Sequence, residues 1–456
     1  MYDVEVVKQK TERILTKDTP NFVGKKIRLE GWIRLRRDHG KLIFFDLRDR
    51  SGIIQVVVNP KASEASYQLA KELKPEDVVE VLGTVKKRPQ DAFNKDLLTG
   101  EVEIEAEGIS FIAKSEVLPF DMGGERLNLE LPTLLDYRSL VLRHPSISPI
   151  FKIQAEIVKA FRQIAQRLEC SEIFVPTIVA SATEGGAEVF PIDYYGHKAY
   201  LSQSPQLYKQ MLIPVFERVY TISKAYRAEP SVTTRHLSES TQMDFEFGFV
   251  EFYDLLDLLE EAGVYILETV EKECKKELGS LGVEKISFGK IPRLTLREAQ
   301  EIILKEKGRN ILKEPDLSSQ DEADICQWAL KTHKSDLVTI THYPIEKRAF
   351  YTMPDPKDPE YSLSYDLLFR GTEILSGSQR INNYQMLVDA MEKRGLNPKN
   401  FTLYLQAFEY GMPPEGGFSF GLERITWKLL GLSNIREASL YPRDMERVDE
   451  RFSKLK

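Results

Sequence analysis

Along the first hundred residues, hydrophobic and polar positions alternate with a period of two. From Lys25 the chain reads KKIRLEGWIRLRRDHGKLIFFDLRDRSGIIQVVVNP, short β-branched and aromatic runs broken by turn signals at Asp38-His39-Gly40 and Arg50-Ser51-Gly52. A helical stretch, ASYQLAKELKPE, comes next. Two more strand-like runs, DVVEVLGTVKKR and GEVEIEAEGISFI, flank a polar loop from Pro89 to Gly100. Five strands with a helix inserted after the third predict an OB-fold barrel over residues 1–108. Phe44 and Phe45 are adjacent, so their rings point to opposite faces of a strand, and one can stay exposed.

The period then changes. Residues 109–145 carry prolines, a Gly-Gly turn and mixed charge without clear periodicity, which predicts a hinge with a short helix. From Ser146, Ile153, Ile157, Ala160, Phe161, Ile164 and Leu168 recur at helical spacing, the stripe of a helix that meets a core or another subunit. A short strand ends near Pro176, and Gly185-Gly186 allows a mobile loop beside Glu184. DLLDLLEEAGVYILETVEKECKKEL has the spacing of a surface helix. Residues 275–335 read as a charged helical insertion without assigned chemistry. Strand signals return at DLVTITHYP, RAFYTM and SLSYDLLFRGTEILSGSQRI, and a Gly-rich turn precedes the strand and helix of GGFSFGLERITWKLLGL. Residues 146–456 are therefore expected to form an α+β domain, a mainly antiparallel sheet flanked by helices.

One strand-like stretch, Leu201 to Glu246, departs from this alternation by its density of charge. Lys209, Arg227, Arg235 and His236 suit anions, and Glu229, Asp244 and Glu246 suit cations or hydrogen-bond donors. Unpartnered charge in a half-buried sheet is costly. Two readings stay open at this point: a salt-bridged structural sheet, or a floor that binds a small zwitterion beside a polyphosphate.

Bulk composition narrows the classes. A net charge of −7 carries no global nucleic-acid signature, so RNA binding would need a local basic patch. Arg34, Arg36, Arg37, Lys41, Arg48 and Arg50 supply one on the expected barrel, where an exposed phenylalanine could stack a base. Equally, the arginines could solubilise and both phenylalanines could be core. Cys170, Cys274 and Cys326 lie far apart and form no CxxC pair, and with six scattered histidines no Cys/His zinc site is expected. No apolar run reaches the length of a membrane helix, and MYDVEVVKQK lacks the apolar core of a signal peptide. A cytoplasmic, reducing setting without a membrane partner is the expectation.

The set FVPTI, YRAE…TTRH…MDFEF and GGFSFGLER resembles, in order and spacing, the three signature motifs of class II aminoacyl-tRNA synthetases. The barrel ahead of them resembles the subgroup that handles aspartate, asparagine and lysine, in its compact archaeal and eukaryotic layout. SQSPQLYKQ and EILSGSQRI resemble the aspartate branch. The resemblance implies ATP-dependent ligation of L-aspartate to tRNA(Asp), with tRNA(Asn) an open second acceptor, through an aspartyl-adenylate in a homodimer. The asparagine-specific branch and a tRNA-independent synthetase paralogue are the alternatives. Lysine is disfavoured because its cation would face Lys209 and Arg380.

Roles follow from the same resemblance. Arg227 and Arg424 are the catalytic cations, Arg227 on the α-phosphate and Arg424 near the γ-phosphate or the adenine face. Glu229 accepts from the adenine amino group, and Arg235 and His236 reach the outer phosphates. Glu373 coordinates Mg2+, assisted by Ser376 and Asp366. On the aspartate side stand Lys209 and Arg380 for the side-chain carboxylate, with Asp244 orienting the lysine. Gln206 and Ser376 lie nearby, and Glu184 covers the ammonium. In the barrel, Phe44 stacks the central anticodon base, Gln55 and Glu103 read base edges, and Arg34 lies near the third base. One departure stands out: the turn usually written PPHGG reads Pro413-Pro414-Glu415-Gly416-Gly417. The added carboxylate is expected either to weaken aspartate binding or to pair with Lys209 or Arg380.

Overall fold

The computed structural model describes residues 12–95, 97–180, 188–229 and 233–454. It divides into two compact units, Met1–Asn128 and Leu129–Lys456.

In the first unit β1 (Lys26–His39), β2 (Leu42–Arg48), β3 (Ile53–Val58), α1 (Glu64–Ala70), β4 (Val78–Lys87) and β5 (Val102–Ala113) follow one another. The strands close into a barrel in the order β1-β2-β3-β5-β4, the expected five-stranded OB-fold. Alternation decides which residues fill it: Ile27, Leu29, Ile33, Ile43, Phe45, Leu47, Ile54 and Val56 point inward. Ser63 starts α1 by accepting a hydrogen bond from the Ser66 amide.

The second unit opens with α2 (Leu131–Asp136) and α3 (Arg138–Val141). The expected hinge, 109–145, is not uniformly loose. Its first residues finish β5, and Arg138 donates to the carbonyls of Leu440, Glu437 and Ser439 at 2.8, 3.0 and 2.6 Å. An arginine fork saturated by three carbonyls fastens this segment to the far end of the chain.

Then come α4 (Ser148–Arg167), β6 (Ser171–Glu172) and a small sheet of β7 (Ile178–Val179), β8 (Pro191–Tyr194) and β9 (His197–Leu201). After α5 (Gln206–Met211) and α6 (Ile213–Phe216), the main sheet begins with β10 (Arg218–Tyr226) and β11 (Glu239–Gly248). Helices α7 (Phe252–Glu273) and α8 (Lys275–Leu281) lead to β12 (Arg293–Thr295), α9 (Leu296–Lys307) and α10 (Ser319–His333). The remaining elements are β13 (Leu337–Thr341), β14 (Ser364–Phe369), β15 (Thr372–Gln379), α11 (Tyr384–Lys393), α12 (Thr402–Glu409), β16 (Glu415–Gly421) and α13 (Leu422–Leu429).

The main sheet has eight strands in the order β12-β13-β14-β15-β16-β11-β10-β6. Its pairs are antiparallel except β12–β13 and β6–β10 at the two edges, so the sheet is mixed. Residues 275–335, expected as a charged helical insertion, also supply β12. Three residues with no periodicity of their own gave no strand signal, and pairing with β13 makes them one.

Each face of this sheet has a separate job. One carries Tyr220, Met243, Phe245, Phe247, Phe418, Phe420, Leu375, Tyr365 and Leu367 into the core beneath α4 and α7. Phe245 packs against Phe161 of α4 with ring centroids 4.6 Å apart. The opposite face, set by the same registers, presents Thr221, Gln242, Asp244, Glu246, Gly417, Ser419, Ser376 and Ser378. Small residues on the two central strands leave a trough there, and charged residues line its sides.

Candidate active site

The trough is a cavity of ≈ 310 Å³, and residues from motifs scattered through the chain line it. Gln206, Lys209, Arg227, Glu229, Arg235, His236, Asp244, Glu373, Ser376, Arg380 and Arg424, all singled out from the sequence, are among its walls. Glu184 lies outside the described residues. Asp366 does not line the cavity.

At one end sits a buried charge cluster. Helix α5 brings Gln206, Lys209 and Gln210 to one side by i, i+3, i+4 spacing, and all three are buried. Lys209, 1% exposed, donates to Asp244 Oδ1 at 3.0 Å, lies 3.0 Å from Glu246 Oε2 and reaches the Phe245 carbonyl at 3.3 Å. Arg380, just past β15, donates through Nε to Glu246 Oε1 at 2.8 Å. Its other nitrogens reach Ser378 Oγ at 2.6 Å, the Gly417 carbonyl at 2.9 Å and Gln206 Oε1 at 3.2 Å. Lysine and arginine, 171 positions apart by subtraction of their residue numbers, therefore converge on Glu246. Burial alone would raise the Glu246 pKa, but Arg380 and Lys209 outweigh it and hold the carboxyl below its ordinary value. Asp244 goes the other way: burial raises it, and Lys209 only partly offsets that.

The sequence reading pairs Lys209 with Asp244 alone; Glu246 is a second protein carboxylate that faces it. Glu246, which the sequence reading placed in the charged stretch but gave no role, is the hinge of the arrangement. Its signal was present as the third position of the alternating Gln242, Asp244, Glu246 series. Gly417 makes room for it: a Cβ there would stand 2.2 Å from the Phe245 carbonyl and 2.5 Å from Glu246 Oε2.

Of the two outcomes expected for Glu415, the ion pair is not formed: it pairs with neither Lys209 nor Arg380 among the described residues. It is fully buried, and its Oε1 accepts from Gln210 Nε2 at 2.7 Å.

The other end of the cavity is basic and more open. Arg227 follows β10 directly and is exposed. Its guanidinium makes no hydrogen bond or ion pair among the described residues. Arg424, in the first turn of α13, donates to Glu373 Oε1 at 3.0 Å. Arg235 is held by Glu322 of α10 at 2.9 Å, so a phosphate would have to compete with that carboxylate. Burial pushes Glu322 up to about 7, and the pairing with Arg235 only partly offsets it. His236 is held below its ordinary value by burial, with Arg424, Arg235 and Arg227 adding to the effect against Glu229. Its imidazole is the neutral form at pH 7, and a polyphosphate beside it would favour protonation.

Glu373 and Ser376 share the cavity face only because β15 carries a bulge. The register runs Leu367↔Leu375, then Leu368↔Glu373, so Ile374 is the extra residue. Without it, positions three apart on a strand would face opposite ways. Glu373 is raised by burial, against the pull of Arg424. Its second oxygen, Oε2, has no hydrogen-bond partner among the described residues. One carboxylate oxygen and one hydroxyl fit an ion that keeps most of its waters and binds phosphate, as Mg2+ does. Among the described residues no three His, Cys, Asp or Glu side chains are grouped as a metal cage.

Asp366, expected to assist the ion, accepts from Arg348 Nη2 at 2.7 Å through Oδ2, and its Oδ1 is buried without a hydrogen-bond partner among the described residues. Its register places it on the trough face opposite Ser376, but the arginine takes its Oδ2. Arg348, which sequence reasoning missed, lines the cavity, reaches Ser376 Oγ at 3.2 Å and lies 3.9 Å from the Tyr343 ring centroid. Burial alone would lower its pKa, but Asp366 more than compensates. RAFYTM read as a strand, so nothing in the local pattern set this arginine apart.

In the barrel, Phe45 is buried and Phe44 lies half-exposed outside. Near it run Arg37–Asp46 at 2.9 Å and Gln55 Nε2–Glu103 Oε2 at 2.9 Å. Asp46 and Gln55 are register partners on adjacent strands, and Phe44 faces Arg37 and Val57. Arg34 is half-buried where β1 slips register between Ile33 and Leu35. The barrel thus sets the Phe44 ring beside paired polar groups on its outer surface.

Residues 130–445 match the family described as tRNA synthetases class II (D, K and N), and residues 27–112 match the OB-fold nucleic acid binding domain. An aspartate–tRNA(Asp/Asn) ligase of Archaeoglobus fulgidus is 39% identical over 447 residues, covering 96% of this chain and 99% of the relative. An aspartate–tRNA(Asp) ligase of Pyrococcus abyssi is 38% identical over 435 residues, covering 94% and 97%. Among solved structures, the asparaginyl-tRNA synthetase of Pyrococcus horikoshii complexed with asparaginyl-adenylate superposes with a TM-score of 0.88 at 32% identity, covering 96% of this chain and 99% of that one.

Proposed function

From the premise that this chain belongs to the class II tRNA synthetases of the D, K and N group, we propose that it ligates L-aspartate to tRNA(Asp) using ATP. The observation that carries this reading is the convergence of Lys209 and Arg380 on Glu246 at the floor of the cavity, with Arg227 and Arg424 at its other end. Two desolvated cations, fixed in direction by a shared carboxylate, suit a substrate carboxylate. A neutral amide meets the same donors with a fraction of the electrostatic gain.

The chemistry has two steps. The α-carboxylate of aspartate attacks the α-phosphorus of ATP, the P–O bond to pyrophosphate breaks, and aspartyl-adenylate forms. The ribose hydroxyl at the tRNA end then attacks the activated carbonyl and releases AMP. Arg227 holds the α-phosphate and spreads the charge that develops there. Arg424 takes the terminal phosphate or the adenine face, Glu229 accepts from the adenine amine, and His236 and Arg235 meet the outer phosphates. Glu373 and Ser376 would hold Mg2+, which neutralises phosphate charge when bound. Gln206 and Asp244 orient the amino acid and the lysine. No covalent protein nucleophile is required, so rate comes from positioning and charge.

On the barrel, Phe44 stacks an anticodon base, and Gln55 and Glu103 exchange their mutual bond for base edges, with Arg34 nearby. A homodimer is supported by Phe174, which lies just beyond α4 and β6 and is 88% exposed. Three free cysteines support a reducing, cytoplasmic setting. Among the described residues no helix is long and apolar enough to cross a membrane.

The test is ATP–pyrophosphate exchange with aspartate and with asparagine, followed by charging of tRNA(Asp) and tRNA(Asn) transcripts side by side. Exchange driven by aspartate is the expected result; exchange driven by asparagine alone refutes the assignment. Charging of the second transcript decides whether tRNA(Asn) is also an acceptor.

A further inference from the structure

Beneath the cationic floor lies a carboxyl group that the reaction above does not use. Glu415 opens β16 and is fully buried. Register pairs Glu246 with Gly417 and Gly248 with Glu415, so Glu415 and Glu246 are diagonal neighbours on one face of the sheet. Within the β11–β16 pair, glycine stands opposite each, so no side chain separates the two carboxyls there. The Glu246 carboxylate repels an ionised Glu415, and so adds to burial in raising its pKa.

The hydrogen bonds around Glu415 leave one place for a proton. Tyr404 of α12 donates to Gln210 Oε1 at 3.1 Å, which turns the Gln210 amide nitrogen toward Glu415. That nitrogen donates to Glu415 Oε1 at 2.7 Å. The other oxygen, Oε2, is buried and meets no donor among the described residues. An ionised carboxylate with an orphaned oxygen beside a second carboxylate is costly twice over, by desolvation and by repulsion. A proton on Oε2 removes both costs, because the acid can then donate to an oxygen of Glu246.

We propose that Glu415 is a neutral carboxylic acid that keeps its proton and donates a hydrogen bond through it to Glu246, and that it thereby positions Lys209 and Arg380 for the carboxylate of aspartate. The inference rests on the aspartate reading of the site. Charge counting supports it. Lys209 and Arg380 balance Asp244 and Glu246; an ionised Glu415 would add a third buried anion before the anionic substrate arrived. The ionisable groups that face Glu415 are Glu246 of β11, Arg380 after β15, Tyr404 of α12 and Tyr365 of β14. Burial, and then the neighbouring Glu246 carboxylate, raise the Glu415 pKa well above its ordinary value, against smaller pulls from the Gln210 hydrogen bond and Arg380.

The experiment compares wild-type enzyme with Glu415→Gln and Glu415→Ala in ATP–pyrophosphate exchange across pH, with an infrared difference spectrum of wild type minus Glu415→Gln. Glutamine reproduces both contacts of the neutral acid, accepting from Gln210 and donating to Glu246. The KM for aspartate should stay within about threefold of wild type at pH 7 in Glu415→Gln and rise at least tenfold in Glu415→Ala. The KM for ATP should be little changed in both. The spectrum at pH 7 should contain a carboxylic-acid C=O stretch that shifts in D2O. A tenfold or larger fall in the aspartate KM of Glu415→Gln would show that Glu415 is an anion, and absence of the acid band would show the same; either overturns the proposal. If wild type loses aspartate affinity at alkaline pH through Glu415, log KM should climb by about one per pH unit relative to Glu415→Gln. A climb of equal size in both enzymes overturns that linkage. No exchange with aspartate in any of the three would refute the aspartate reading itself, a different failure.

Discussion

Two cations of the cavity illustrate how environment sets what a residue does. Lys209 is buried between Asp244 and Glu246, whereas Arg227 is exposed. Lys209→Leu leaves two carboxylates facing a hydrocarbon, so it should lower stability by about 3–5 kcal/mol as well as abolish aspartate activation. Arg227→Ala should abolish adenylate formation while unfolding stability changes by less than about 0.5 kcal/mol. Urea melts and pyrophosphate exchange on the two variants check both outcomes; a stable Lys209→Leu protein would mean that the cluster is less tightly coupled than its distances imply. His236 adds a pH dependence. Its pKa is held below the ordinary value, so it is already neutral at pH 7 and protonates only on acidification. ATP phosphates favour the cation, so the KM for ATP should fall as pH drops from 8 to 6, less so in His236→Gln. Steady-state kinetics over that range measures it.

At the level of elements, the site is made by departures from regular alternation. The register puts Gln242, Asp244 and Glu246 on one face of β11, as strict alternation of a strand requires. Alternation could not place Glu373 with Ser376, because the bulge at Ile374 is decided by pairing between β14 and β15. Nor could it show that Asp366 is taken by Arg348, a partner 18 residues upstream on a different element. Gly417 was legible as part of a Gly-rich turn, but its role is close approach to β11 rather than turning. Gly417→Ala should cost about 1–3 kcal/mol by overpacking and raise the KM for aspartate through displacement of Glu246. Thermal melts beside exchange kinetics test this; unchanged values for both would show that β16 yields without disturbing the cluster.

Across the whole molecule, the two units carry separable tasks. Phe44 is half-exposed on the barrel, so Phe44→Ala should fold normally and leave pyrophosphate exchange unchanged. Loss of one stacked base, about 1–3 kcal/mol, should weaken tRNA charging by about tenfold or more. Equal loss in both assays would contradict an anticodon role confined to the barrel. Read alone, the chain determined its architecture and the types of group at the site, because strand alternation, helical spacing and motif order are local properties that survive without coordinates. Tertiary structure alone decided the state of those groups. Whether Lys209 is compensated, whether Asp366 is free, and what Glu415 faces depend on which strands lie side by side and how completely water is excluded between them. Electrostatic energies in a buried site follow distance and desolvation in three dimensions, and neither is written in the spacing of residues along the polypeptide.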